Sequence, residues 1–567
     1  MAADLRLSEL KLPLDHGDAD LRRLICRRLA LSADALRGYR IVRRSVDARR
    51  REAISVVYCV DLDLALAPSA RRRLLRRFAA DPHLRPTPDD RYRWVARSDG
   101  PQFGNRPVVV GAGPCGYFAA LLLAQMGLPP LLLERGRPVK QRTQDTFGFW
   151  RGQRPLDPES NAQFGEGGAG TFSDGKLYSQ VSESPALIRK VLEELVAAGA
   201  NPEILTLHRP HIGTFKLATV VRGLRQRIEE LGGEVRFGAR LVGLDLDPTS
   251  RTLRGLTLDD GSHIVAEHLV LAIGHSARDT FAMLHDQGVA MESKPFAIGV
   301  RIEHPQGLID RCRWGSSAGH PLLGAAEYKL VHHSKRTPSQ AARSAWSFCM
   351  CPGGLVVAAT SEQEGVVTNG MSQHSRNERN ANSALVVNVE REDVLPWESF
   401  PGDPLAGVAF QRHWERQAFI AGGGDYRAPA QWLEDFLACK PSDDATVIGV
   451  PASYQPGIRL GSLDGCLPTW VLATLREALP AFERTLPGFC SSGSLLTGVE
   501  TRTSSPLRLL RDPVSLQSCN TPGLYPAGEG GGHAGGILSA AIDGIRVAEA
   551  IAITRLRPQH PGDRKNT

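Results

Sequence analysis

A strand–glycine–helix–strand–acid run at 108–134, a glycine-rich return at 523–537, and a β-α-β-β-α pattern ahead of both predict the fold class of this 567-residue chain. It reads as an α/β protein with a Rossmann-like nucleotide-binding domain in discontinuous segments. An antiparallel β-rich α+β substrate domain is inserted into it, and a small N-terminal ferredoxin-like α+β domain precedes it. The expected divisions are 1–98 for the small domain, 99–275 and 491–555 for the two parts of the nucleotide domain, 276–490 for the insertion, and 556–567 for a polar tail.

In the small domain a strand, Leu5–Leu12, leads to a helix, Asp18–Leu31, whose apolar stripe includes Leu21, Leu24, Ile25 and Leu29. Strands Gly38–Val46 and Ala53–Leu62 follow, joined by a basic turn. The second helix, Pro68–Ala80, opens on a proline, which the first helical turn accepts because its N–H would be unpaired anyway. A polar stretch, Asp81–Asn105, then leads onward.

Val108-Val109-Val110 runs into Gly111-Ala112-Gly113-Pro114-Cys115-Gly116, an apolar helix, and Leu131-Leu132-Leu133-Glu134. Gly111 permits the tight turn, Gly113 lets the backbone approach a pyrophosphate, and Gly116 lets the helix pack on the sheet. The helix N-terminus offers N–H groups and partial positive charge to phosphates. Glu134, 18 residues past Gly116, stands where a carboxylate accepts both ribose hydroxyls and repels a 2′-phosphate. The return, Gly523-Leu524-Tyr525-Pro526-Ala527-Gly528-Glu529, enters a glycine turn and a final helix, Ile537–Ile553. One fingerprint alone indicates a dinucleotide; the two, bracketing a long insertion, indicate FAD.

Between them, Phe164–Leu177 is the densest glycine segment, and Gly167 and Gly168 suit close approach to a flat ligand. Thr171, Ser173 and Lys176 are expected to turn toward polar atoms there. A helix, Leu217–Leu231, and three β segments, Val235–Asp245, Thr252–Leu258 and His263–Glu267, lead to Leu269–Gly274, where Gly274 lets the chain cross near the nucleotide. In the insertion, Ile298, Val300 and Ile302 alternate with Gly299, Arg301 and Glu303 as a half-buried strand. Residues 345–361 read as a hairpin turning at Pro352-Gly353-Gly354.

Hydrophobic residues make up 42% of the chain and the mean hydropathy is −0.20, as in ordinary globular proteins. The uncharged stretch Pro107–Leu133 is long enough to span a bilayer, but its glycines and prolines favour strand–helix–strand. No basic-then-apolar leader opens the chain, and the ten cysteines lack a disulfide-framework spacing, so a cytoplasmic location is expected. No cysteine or histidine cluster indicates a metal. Residues 1–106 carry 23 Lys+Arg against 14 Asp+Glu, and the remainder 45 against 47, so the basic excess is entirely N-terminal. Such a face suits nucleic acid, an acidic partner or anionic lipid, or is simply a solvated arginine-rich surface.

The fingerprint at 108–116, FGEGGAGTFSDGKL at 164–177, SFCMCPGG at 347–354, ETRTSSP at 500–506 and GLYPAGEGGGHAGGI at 523–537 resemble the FAD-dependent dehydrogenase family, a group of two-dinucleotide-fold flavoproteins. The likeness spans essentially the whole chain; Cys115 stands where alanine is commoner. It implies non-covalent FAD, with Gly111, Gly113 and Gly116 at the pyrophosphate, Glu134 at the adenosine ribose, Glu529 at the ribityl and phosphate groups, and Gly535, Gly536 and Ile537 near the flavin pyrimidine; Pro114, Arg135, Gly167, Gly168, Gly274 and Gly528 complete the expected cofactor-binding set.

The likeness supplies no substrate. The CxxxxC pair of glutathione-reductase-like enzymes does not follow Glu134, and no second GxGxxG offers NAD(P)H its own domain, leaving NAD(P)H as a candidate electron donor only. Cys349 and Cys351 would lie about 6.6 Å apart on one face of a strand, and are either buried hairpin residues or thiols facing substrate. His533 is a proton shuttle beside the pyrimidine edge or an idle loop histidine. Lys176 contacts phosphate or flavin, or is solvated; Arg502 grips an anionic substrate or a nearby carboxylate. The favoured reading is a FAD-dependent oxidoreductase acting on a small organic substrate. An RNA-modifying flavoprotein and a non-catalytic flavin sensor are the alternatives.

Overall fold

The structure is a computed structural model describing residues 5–98, 100, 104–178, 183–335, 342–443 and 449–556. At its centre is a parallel sheet of five strands in the order Leu524–Pro526, Leu269–Leu271, Val108–Val110, Leu131–Glu134, Glu234–Phe237. The first four are buried along their whole length, as parallel strands covered on both faces must be. Leu524–Pro526 adds directly to Leu269–Leu271, so distant parts of the chain complete one sheet.

Helix Pro114–Gln125 follows the central strand and is buried at ten consecutive positions, Cys115 to Ala124. It lies against the C-terminal helix Ile537–Leu556 so closely that a Cβ on Gly544 would sit 2.2 Å from the Cys115 carbonyl oxygen. The uncharged run Pro107–Leu133 is thus strand, helix and strand, and no helix among the described residues is long and apolar enough to cross a membrane. The expected strand Val235–Asp245 is in fact two. Gly238 takes φ +67° and breaks it, leaving Glu234–Phe237 in the parallel sheet while Leu241–Leu246 begins a three-stranded antiparallel meander.

The insertion, together with Leu495–Glu500 from beyond the boundary expected at 490, forms a seven-stranded sheet: Val331–His333, Ser344–Cys351, Asn380–Val389, Phe296–Pro305, Leu495–Glu500, Ala428–Trp432, Ile458–Leu460. Neighbours are antiparallel except the last pair. The expected half-buried alternation at 298–303 does not hold, because Phe296–His304 is buried on both faces. The hairpin expected at 345–361 is also overturned. Ser344–Cys351 pairs with Asn380–Val389, whereas Gly354–Ala358 turns away to pair with Thr368–Ser372. The turn itself is present, but Gly353, at φ +44°, packs on Arg376: a Cβ there would lie 1.8 Å from the Arg376 carbonyl oxygen.

The N-terminal residues form an antiparallel sheet ordered Leu36–Asp47, Ser55–Leu64, Leu5–Pro13, Leu84–Pro86, with helices Asp18–Leu29 and Pro68–Arg77. The fourth strand, Leu84–Pro86, lies inside the stretch expected to be a linker, and completes a β-α-β-β-α-β order. Much of the basic charge here is engaged at home: Arg6 and Arg40 with Asp61, Arg28 with Asp81, Arg49 with Asp47. Its apolar interior is continuous with that of the insertion, one cluster running from Leu5 and Ile25 through Trp314 to Phe489.

Candidate active site

The turn after Val110 is built from two glycines that cannot be replaced and one facing open space. A Cβ on Gly111, at φ +103°, would sit 2.3 Å from the Ala272 carbonyl oxygen, and one on Gly116 would sit 1.8 Å from the Gly111 carbonyl oxygen. Gly113 differs: its Cβ would meet nothing nearer than the Gly168 Cα at 3.8 Å. Pro114 is the first residue of the helix, so the first N–H donors are those of Cys115 and Gly116, with no intrahelical partner.

The glycine loop 165–170 closes over this turn. Gly167 N–H donates to the Ala112 carbonyl at 2.8 Å, and Gly168, at φ +61°, brings its backbone against Gly113. Arg142, fully buried, organises the loop by donating to the carbonyls of Asn161, Gly165, Glu166 and Gly168. Burial pulls its pKa down to about 10. No sequence signal marked Arg142, since its partners are backbone atoms of a glycine run. Thr171 and Ser173, expected to face a ligand, instead donate to the Glu166 and Gly170 carbonyls within the loop.

Glu134 stands at the end of its strand as expected, 4% exposed, and accepts from the backbone N–H groups of Ala112, Gly136 and Gly165 at 2.8, 2.9 and 2.9 Å. A carboxylate has about four acceptor positions, so one is left for a further donor, where the sequence reading expected two ribose hydroxyls. Arg135 is held by paired bonds to Glu159 and Asp279 and lies 4.2 Å over the Phe164 ring.

The opposite wall comes from the return segment. A Cβ on Gly530 would meet the Gly274 N at 2.7 Å, and one on Gly528 would meet the Cys115 Cβ at 2.8 Å. Gly274 and Gly536, at φ +72° and +116°, both face open space within 4 Å of a Cβ position. Ile537, the first residue of the final helix, lies against Gly170. The Glu529 carboxyl accepts from Ser505 N–H at 3.3 Å and from Gly536 N–H, and a Cβ on Gly535 would lie 3.9 Å from it. Burial pushes its pKa up to about 7, with Lys294 opposing.

These backbones enclose a trough along the C-terminal ends of the parallel strands, the place where open α/β sheets bind ligands. The side-chain-free positions Gly113, Gly274 and Gly536 and the helix starts at Pro114 and Ile537 fit an extended dinucleotide with an anionic centre, as FAD has.

Beside the trough is a buried ionic cluster. Arg278 and Arg502 each grip the Glu415 carboxylate with paired bonds of 2.7–3.1 Å; Arg278 also reaches Glu362 and Gln411, and Arg502 reaches Ser361 and Ser276. Arg502 is therefore committed to a carboxylate of its own chain. Burial raises the Glu415 pKa, but the two guanidiniums outweigh it and hold the group well below the carboxylate range. Burial, with Arg502 and Arg278, pushes the neighbouring His275 down to about 3, so this imidazole stays neutral. Sequence reading missed the cluster because its members come from four separate elements.

Of the remaining candidates, His533 is hydrogen-bonded through Nε2 to the Leu509 carbonyl at 2.9 Å, and burial lowers its pKa. Lys176 is not solvated: its ammonium donates to the Met350 carbonyl and lies 3.8 Å from Asp174. That brings it beside Cys349 and Cys351, which are free thiols on a bulged strand rather than in a hairpin.

Residues 295–503 match a family model described as FAD-dependent protein, C-terminal domain-like, and residues 4–63 match a domain of unknown function (DUF8436). An uncharacterized protein of Clostridium beijerinckii is 44% identical over 551 residues, covering 96% of this chain and 98% of that one. Among solved structures, the tetracycline destructase Tet(51) aligns over 80% of this chain and 82% of its own at 10% identity and a TM-score of 0.31. CtdE in complex with FAD aligns over 79% and 88% at 13% identity and a TM-score of 0.30. Likeness this distant says nothing about the reaction. The chain belongs to one family with the Clostridium protein, and within it residues 295–503 match the model of the FAD-dependent protein C-terminal domain.

Proposed function

We propose that the protein is a FAD-dependent oxidoreductase that moves hydride or electrons between non-covalently bound FAD and a small organic substrate held on the insertion side of the trough. The supporting observation is the backbone trough itself, open at Gly113, Gly274 and Gly536, while Gly111, Gly116, Gly528 and Gly530 are closed by contact. When bound, FAD supplies a reversible two-electron acceptor.

The chain's own groups then have separable tasks. N–H groups at the start of helix Pro114–Gln125 bind the pyrophosphate, and Glu134 anchors the turn while keeping one acceptor for the adenosine ribose. Glu529, protonated below about pH 7, donates a hydrogen bond toward ribityl or phosphate oxygen without adding negative charge. The start of helix Ile537–Leu556 places partial positive charge where negative charge develops on reduction. His275 stays neutral and serves as a hydrogen-bonding group rather than a cation. The glycine loop and the return segment exclude water from the centre.

An anaerobic titration with NADH and NADPH, following the flavin band near ~450 nm, identifies the donor. Rapid bleaching makes the protein a nicotinamide-driven reductase. A band that neither donor bleaches, but a reduced organic substrate does, makes it a dehydrogenase. If no donor of either class bleaches the band, the oxidoreductase reading fails and the sensor alternative stands.

A further inference from the structure

The strand Ser344–Cys351 breaks its register between Phe348 and Cys351, and Cys349 sits at the break with φ +48°, the left-handed region that a side chain rarely adopts. Non-glycine strain of this kind persists only where the surroundings hold it. Here they do. Arg301, wholly buried and paired with Glu500, donates to the Cys349 carbonyl at 3.1 Å, and Lys176 holds the next carbonyl, that of Met350.

The break turns the Cys351 thiol toward residue 349, where its Sγ donates to the Cys349 carbonyl oxygen at 3.3 Å. In a regular strand the two Cα atoms would stand about 6.6 Å apart, near the upper limit for a disulfide; a bulge shortens that path. The two thiols differ in access, Cys351 being fully buried and Cys349 partly exposed. Two buried polar groups nearby lack partners among the described residues. They are the amide nitrogen of Asn382, directly opposite Cys351 in the sheet, and the hydroxyl of Ser372. A Cβ on Gly354 would touch both that hydroxyl, at 2.6 Å, and the Cys351 Cβ, at 3.3 Å.

We propose that Cys349 and Cys351 are a dithiol–disulfide couple that carries two electrons between the flavin and a small disulfide substrate, with Lys176 and Arg301 stabilising the thiolate. The electrostatics agree: the hydrogen bond from Cys351 comes first, followed by the Lys176 and Arg301 charges, and together they outweigh burial and lower the Cys349 pKa, while that of Cys351 is raised. The Cys349 thiolate attacks one sulfur of the substrate disulfide, forming a mixed disulfide and releasing one thiolate, which takes up a proton. Cys351 then loses its proton and attacks the Cys349 sulfur, closing the internal disulfide and expelling the second thiol. A reduced flavin, when bound, would supply the two electrons and one proton that reopen the pair as thiolate and thiol. Two chain paths join this pair to the trough. The glycine loop runs from Gly170, against Ile537, to Lys176, and the segment after Glu500 runs to Ser505, which donates to Glu529.

The relay rests on the proposed flavin chemistry; the couple itself does not, and one experiment separates them. Flavin-loaded protein is treated anaerobically with oxidised glutathione, quenched in acid, alkylated with iodoacetamide and digested, with the absorbance recorded beforehand. The expected peptide holds Cys349 and Cys351 lighter by two hydrogens and unalkylated, while Cys115 and Cys466 alkylate fully. C351S should trap glutathione on Cys349, and K176M should slow alkylation of Cys349 at pH 7 at least tenfold. Photoreduction of the flavin should restore both thiols in the oxidised wild-type protein. A yellow protein whose Cys349 and Cys351 both alkylate after disulfide treatment overturns the couple and leaves the flavin reading intact. A colourless protein that still forms the internal disulfide keeps the couple and overturns the relay.

Discussion

Gly113 and Gly116 are three residues apart in one motif, yet the space around them separates folding from binding. Gly116→Ala would force a Cβ to 1.8 Å from the Gly111 carbonyl oxygen, so that variant should accumulate as insoluble or strongly destabilised protein. Gly113→Ala meets only a 3.8 Å contact, so it should melt within a few degrees of wild type. Its methyl group instead enters the space proposed for the cofactor, and FAD affinity should fall at least tenfold in a fluorescence titration. Equal loss of folding in both variants would contradict the assignment. Glu529 makes a second residue-scale prediction. Its folded pKa of about 7 lies above the ordinary 4.5, so the folded state holds the proton more tightly. The stability it contributes is complete below about pH 4.5 and is lost as pH rises through about 7. Stripped of flavin, wild type should therefore lose melting temperature from pH 5 to 8 relative to Glu529→Gln. Parallel melting curves for the two would refute the shift. The tight turn at Gly111–Gly116 and the place of Glu134 at its strand end were legible in the sequence because the motif encodes local backbone geometry. Arg142 and Glu415 were not, because their partners are fixed only by tertiary packing.

At the scale of elements, helix Ala406–Gly422 matters chiefly through Glu415, the shared counter-charge of two buried guanidiniums. Glu415→Gln keeps the shape and removes the charge, leaving Arg278 and Arg502 underpaired. Breaking a buried pair this way costs about 3–5 kcal/mol, measurable as a lower urea midpoint. A loss below about 1 kcal/mol, as for an exposed ion pair, would show that the cluster is solvated. Elements were readable from the sequence wherever hydrophobic periodicity and a breaker agreed. Helix Thr214–Glu230, strand Leu269–Leu271 and the C-terminal helix lie within a few residues of expectation. Pairing was less readable. Residues 345–361 have the turn of a hairpin, but a turn signal does not say that its arms pair, and the contact of Gly353 with Arg376 sends them to different sheets.

For the whole molecule, the N-terminal residues are tied in by more than a linker. The strand Leu36–Asp47 exchanges backbone bonds with the Thr206–His208 segment through Arg44, at 2.7 and 3.0 Å, and its core continues into that of the insertion. A chain beginning at residue 99 should thus lose solubility or several degrees of melting temperature. Unchanged melting would mark residues 1–98 as an independent module, and would revive the reading of its basic face as a docking surface for nucleic acid. The discontinuous sheet was legible at this scale because both of its glycine segments carry local signatures; the shared core was not, because apolar side chains do not specify which neighbour they will meet.

The trough between the Gly111–Gly116 turn and the Gly528–Ile537 return is proposed to hold one FAD without a covalent link. The most direct test is to denature the purified protein in acid, separate chain from supernatant, and identify and quantify the flavin in each by absorbance and mass. The expected result is close to one FAD per chain, all of it released, and a Gly113→Ala protein that folds but retains little. Flavin remaining on the chain, or a folded protein that holds none and takes up none when FAD is added, would contradict it.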